Sequence, residues 1–243
     1  MTTHAVARPA GTAQDDTFTV CAIAVLAAMI ASVLHEGVGH AAIALLTGTQ
    51  SGVLTAVAWS SEYDSRLVAA GGTLVNLAAA SFFWIVLRRA KNASVELRYL
   101  LVLSMAFNLF DGTGYFFFSG VTDFGDWATV IQPMQPHWAW RTALAVTGIA
   151  SYFGAVVLVG RAYVRVLGIP LNDGPRLRKL SLLPYISAIA IVCLAGWFNP
   201  IGKQLMWQSA LPATAGGHSG LLWFRYYIPK ARACRSSRRS CAC

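Results

Sequence analysis

Long apolar runs alternate along the chain with short polar or basic breaks, and run length says more than period. Six stretches are predominantly apolar: 18–46, 67–87, 99–119, 142–164, 180–198 and 205–224. Most reach or approach the roughly 20 residues a helix needs to cross a bilayer. The sixth contains Pro212 and the run Gly216, Gly217, His218. It is expected to be broken or only partly inserted, since proline and glycine free backbone groups that lipid cannot satisfy. The pattern predicts an all-α polytopic membrane protein with about six transmembrane helices and short loops, not a soluble helical core.

Composition agrees. Of 243 residues, 56% are hydrophobic and 12% charged, whereas a soluble domain carries about a quarter charged residues. The first seventeen residues are short of basic residues and the first apolar run is too long for a signal-peptide core, so no cleavable signal is expected. No internal repeat and no room for a soluble domain between spans are apparent.

Charge adds orientation. The formal net charge is +9, with basic residues gathered in 88–98, 161–165, 176–179 and 225–239. Segments 48–65 and 120–139 hold acids and tryptophans but neither Lys nor Arg. The positive-inside bias then predicts a multi-pass protein of the cell (inner) membrane with both termini cytoplasmic. Because the basic residues sit at span ends, they are read as juxtamembrane anchors toward membrane lipids, not as a nucleic-acid surface. Cys21 and Cys193 fall inside spans as small packing residues. Cys234, Cys241 and Cys243 belong to a basic tail expected to be disordered.

The chemistry lies at membrane depth. A charged residue at the centre of a transmembrane helix costs roughly 2.5–3.5 kcal/mol on insertion scales. Yet the first span contains His35-Glu36-Gly37-Val38-Gly39-His40, and the third contains Asp111. Two imidazoles one helical turn apart can bind one Zn²⁺ while the adjacent Glu acts as general base toward water. The common spacing is His-Glu-x-x-His; here it is one residue longer. On an ideal α-helix, positions i and i+5 lie about 140° apart, so the two rings would diverge. Gly37 and Gly39 suggest a remedy, because glycine tolerates the widening of a π-bulge, which would return His40 to the face of His35. The extended zinc motif of the dipeptidyl peptidase III family is similar in pattern only. A buried polar network, with Glu36 and His40 as an i, i+4 pair, is the alternative on this motif alone.

Two further stretches join it: AAGGTLVNLAAA at 69–80 and FNLFDGTGYFFF at 107–118. Together with the His-Glu motif they resemble the site-2 protease family of intramembrane zinc metalloproteases, in a divergent, peptidase-like branch. The resemblance covers roughly 18–130. It implies that His35, His40 and Asp111 bind zinc, that Glu36 is the general base, and that Gly72 and Asn76 lie on a helix beside the site. It departs from the family in the long His-Glu motif, the missing proline-rich approach to Asp-Gly, Thr73 where proline is common, and the lack of a PDZ-like insertion. Depth supports one shared site: His35 and Asp111 both lie near the middle of spans running in the same direction.

The implied organisation is a polar segment (1–17), a metalloprotease-like membrane core (18–130), additional transmembrane helices (131–228) and a basic Cys/Arg tail (229–243). The implied activity is endopeptidase hydrolysis, in or beside the bilayer, of a transmembrane protein substrate. The alternative is an inactive homologue or a metal-binding or transport protein. Secondary candidates are Asp123 and Asp126 as substitute ligands, read otherwise as interface residues, and Asn76 and Asn108 as neighbours of the site. Asn108, one turn before Asp111, would orient it or else hold helices together. His137 is read as interfacial and His218 as a polar residue of a distorted last helix.

Overall fold

The computed structural model describes residues 15–49, 52–55, 59–61, 65–169, 173–198 and 206–227. The tail with Cys234, Cys241 and Cys243, and most of the N-terminal segment, lie outside the described residues. Among the described residues the protein is all-α apart from one small hairpin. Among the described residues, five helices are long and apolar enough to cross a membrane: Thr17–Leu46, Arg66–Arg89, Val95–Thr122, His137–Leu167 and Gly174–Trp197. Each overlaps an apolar run of the sequence.

The first span is compound. Helix α1 (Thr17–Ser32) passes into a π-helical segment, Val33–Ala42, and then α2 (Ile43–Leu46). Strands β1 (Gly52–Leu54) and β2 (Trp59–Ser61) pair antiparallel and pack on the π-helical segment. Helices α3 (Arg66–Arg89) and α4 (Val95–Thr122) follow. The short α5 (Asp126–Ile131) precedes α6 (His137–Leu167) and α7 (Gly174–Trp197). The sixth apolar stretch is broken into a π-helical turn (Met206–Ala210), α8 (Leu211–Gly217) and α9 (Gly220–Trp223).

Helix α4 is central, packed along α6, α3 and α1. Residues 101–108 are buried on every side, as expected of a helix that is apolar all round. The outer helices bury one face only. Large apolar side chains on their other faces, among them Leu26, Phe82, Val146 and Ile149, stay exposed, which suits a surface meeting hydrocarbon.

Breaks in the helices are closed by side chains. Pro184 lies inside α7 and has no N–H to give the Leu180 carbonyl four residues earlier. That carbonyl instead accepts from Tyr99 (3.0 Å) and Tyr163 (2.7 Å). One orphaned acceptor thereby ties α4, α6 and α7 together. Between α8 and α9, the Tyr152 hydroxyl contacts the Gly217 carbonyl and accepts from the Gly220 N–H at 2.8 Å. Both devices satisfy backbone groups that lipid would leave unpaired.

Candidate metal centre

The π-helical segment is the local answer to the long motif. Its i→i+5 hydrogen bonding stacks residue i+5 over residue i, so His40 returns to the face of His35. The ring centroids are 4.8 Å apart, in an edge-to-face arrangement. The two glycines differ in role. A Cβ on Gly37 would meet only Val33 Cγ1, at 3.9 Å. Gly39 instead lies against the backbone of Gly71 and Gly72, where a Cβ would fall 2.7 Å from the Gly72 nitrogen. Gly39, Gly71 and Gly72 thus let the π-helical segment and α3 touch backbone to backbone.

Gly72 also makes room for the imidazoles. A Cβ there would lie 2.6 Å from Nε2 of both His35 and His40. Each ring is held by its other nitrogen. His40 Nδ1–H donates to the Val68 carbonyl at 2.7 Å, and His35 Nδ1–H donates to Asn76 Oδ1 at 2.9 Å. Both acceptors belong to α3. A carbonyl or amide oxygen can only accept, so both Nδ1 atoms carry the proton and both Nε2 atoms point inward.

The inward nitrogens meet Asp126. Its Oδ2 lies 3.2 Å from His35 Nε2 and 3.4 Å from His40 Nε2. The three ligand atoms fall within 4.8 Å of one another. Asp126 arrives by a turn in the chain: α4 ends with Asp123 in the left-handed region (φ 55°), and Gly125 (φ 84°) starts α5 back over the histidines.

The donor set fits a divalent metal. Neutral imidazoles with protonated Nδ1 present two lone pairs to a buried carboxylate, and three electron-pair donors so placed repel unless a cation or added protons stand between them. Among the described residues, Asp126 Oδ2 is buried with no hydrogen-bond donor. Zinc–ligand bonds of roughly 2.0–2.2 Å in tetrahedral geometry set ligand atoms about 3.3–3.6 Å apart, close to the two Asp126–imidazole separations, with all three atoms within 4.8 Å of one another. Asn76 and the Val68 carbonyl act as the outer partners that orient ligating histidines.

Glu36 follows His35 directly, and β2, which bears Trp59, packs on the π-helical segment that carries it. A cavity of about 60 Å³ is lined by His35, Glu36, Asp111 and Tyr115. A larger, polar cavity of about 700 Å³ reaches His40 and Asp126 from the side of α5.

The remaining candidates divide. Asp111 lines the small cavity with His35 and Glu36, yet its Oδ1 pairs with His218 Nε2 at 2.9 Å. His218 is buried and stacks on Phe107 with centroids 4.3 Å apart. Asp123 pairs with His137 (3.0 Å) and Arg141 (3.5 Å) at the surface. Asn108 donates to the Ser104 carbonyl of its own helix, and among the described residues no bond joins it to Asp111. The carboxylate beside both histidines is therefore that of Asp126, while the aspartate implied by the resemblance, Asp111, has a histidine of its own. The signal for Asp126 was present in Asp-Phe-Gly-Asp, whose glycine permits the reversal. The contribution of Val68 comes from a backbone carbonyl and leaves no mark in residue type.

No family model, curated protein or solved structure matches the chain.

Proposed function

We propose that the protein is a zinc-dependent intramembrane endopeptidase of the site-2 type, with His35, His40 and Asp126 as metal ligands and Glu36 as general base. The observation that carries this reading is the convergence of three ligand atoms within 4.8 Å of one another at membrane depth, with a carboxylate one residue from the first ligand. A bound zinc supplies Lewis-acid polarisation of water and of the scissile carbonyl.

This chain's residues supply the rest. Glu36 takes a proton from the attacking water and returns it to the leaving amine. Asn76 and the Val68 carbonyl fix the imidazole rings. The polar cavity beside Asp126 offers water a way to a site otherwise walled by apolar helices. The substrate is a peptide segment within or beside the bilayer, in a protein of the cell membrane.

The test is zinc content of the purified protein by elemental analysis, in wild type, Asp126→Asn and Asp111→Asn. About one zinc per chain in wild type and Asp111→Asn, and none in Asp126→Asn, is the expected result. Loss in Asp111→Asn with retention in Asp126→Asn would restore the ligand set implied by the resemblance. Glu36→Gln should keep the metal and lose hydrolysis. Zinc without hydrolysis in wild type would favour a metal-binding or transport role.

A further inference from the structure

Beside the cluster lies a third cavity, predominantly apolar. It measures about 520 Å³, and its walls include Phe110, Phe117, Phe118, Tyr152, Phe153 and Trp223. The volume falls within the range of ligand sites. Three residues, Asp111, Tyr115 and Ala213, line both this cavity and the small one holding His35 and Glu36. Tyr115 is the partition: its ring lies 5.2 Å from that of His35.

The wall is built in an uncommon way. Much of it is α8 and the break that follows, with Pro212, Gly216, Gly217 and Ser219 facing the cavity. Irregular backbone at membrane depth is tolerated where it is buried in protein or lines a cavity. Here the Tyr152 hydroxyl clamps it, and the Asp111–His218 pair places a polar group where the two cavities meet. Phe117 and Phe153 are also exposed on the outer surface, so the cavity adjoins the lipid-facing side of α4 and α6. It is an apolar recess with its outer edge toward the bilayer and its inner edge toward Glu36.

We infer that this recess is the subsite for one bulky apolar side chain of a membrane-embedded substrate segment, flanking the peptide bond presented to Glu36. The inference rests on the peptidase reading above. A helical segment hides its peptide bonds, and it must lose local structure before hydrolysis. Seating a large side chain in the recess compensates for part of that loss by burying apolar surface against fixed aromatic walls. The substrate class is accordingly a transmembrane segment with Phe, Leu, Met or Trp beside the cleaved bond.

Crosslinking tests this without requiring turnover. Zinc-loaded full-length Glu36→Gln protein is mixed with a lysine-flanked Leu/Ala/Gly transmembrane peptide carrying one p-benzoylphenylalanine. The photoreactive residue is moved one position at a time, and adducts are mapped by mass spectrometry. Adducts at Phe117, Phe118, Tyr152 or Phe153 from a narrow set of positions are expected. A Cβ at Gly216 meets nothing within 4 Å, so Gly216→Phe should fill the recess, keep its zinc, and cut those adducts about tenfold or more. Gly154 on α6 is equally open but does not line the recess, and Gly154→Phe should leave the adducts unchanged.

Adducts spread evenly over the lipid-facing surface, or cavity adducts indifferent to Gly216→Phe, would overturn the inference. So would labelling of the recess by a photoreactive phospholipid acyl chain that the peptide does not displace. Cleavage of the same peptide by protein with Glu36 intact is read in parallel. Cleavage without cavity adducts removes the subsite and leaves the peptidase. Cavity adducts without cleavage support the binding site and count against the hydrolase.

Discussion

Among the described residues, two histidine–carboxylate groups lie against the central helix α4 and its neighbours, and they are built differently. In the group of His35, His40 and Asp126, each imidazole has its Nδ1 tied to an acceptor on α3, leaving both Nε2 atoms facing one carboxylate oxygen. In the pair of His218 and Asp111, a single Nε2 meets a single oxygen, and Nδ1 is buried without a hydrogen-bond partner. The first group gathers three electron-pair donors about one point, whereas the second joins one nitrogen to one oxygen. Metal competence therefore depends less on which residues are present than on what holds the far side of each ring.

The sharpest way to break this comparison is to remove one histidine from each group. His40→Ala should abolish zinc binding, from about one ion per chain to none, whereas His218→Ala should retain the ion. Elemental analysis of both proteins, with circular dichroism to confirm retained helix, reads the difference. Equal loss in both would mean that the two groups form one site.

Next in size is the glycine contrast. Gly72→Ala puts a methyl group 2.6 Å from both inward nitrogens, and should prevent zinc loading or unfold the protein. Gly37→Ala meets only Val33 Cγ1 at 3.9 Å and should bind zinc as wild type does. A Gly37→Ala protein unable to bind would show that the π-helical segment needs glycine for its conformation and not only for its packing.

Asn76→Ala should act through the His35 ring. Loss of an outer partner typically lowers metal affinity 10–100-fold, measurable by competition with a zinc-binding dye. Unchanged affinity would mean that packing alone orients His35. The smallest effect is expected at Asp123, whose partners His137 and Arg141 are about a third exposed. Asp123→Asn should leave zinc untouched and change stability by at most about 1 kcal/mol in urea titration. A tenfold loss of zinc affinity there would place Asp123 in the group.

Much of this was legible from run lengths. The five long helices follow the apolar runs to within a few residues, because lipid imposes one requirement on length and composition. The broken sixth stretch was legible from Pro212 and the glycines after it. The π-helical remedy was legible from the mismatch between a six-residue motif and 3.6 residues per turn. What could not be read was the partner of the His40 imidazole: Val68 contributes a backbone carbonyl, which any residue carries. Nor did position along a span distinguish Asp111 from Asp126. Asp126 lies beyond the end of the third helix in sequence, and only the reversal at Asp123 and Gly125 brings it back over the histidines. The β1–β2 hairpin escaped notice for a similar reason, since three-residue strands have no period to detect.

The π-helical segment has one more consequence, concerning the arithmetic of the chain. Val38 is half-exposed and contributes a residue that the site must accommodate but does not touch. Deleting it leaves His-Glu-Gly-Gly-His, a spacing that an ordinary α-helix already brings to one face. The wide helix is thus a removable coil of slack: a chain one residue shorter keeps both imidazoles, the Glu between them and the Gly39 that lies against α3, and exchanges π-helical for α-helical winding at the centre of the first span.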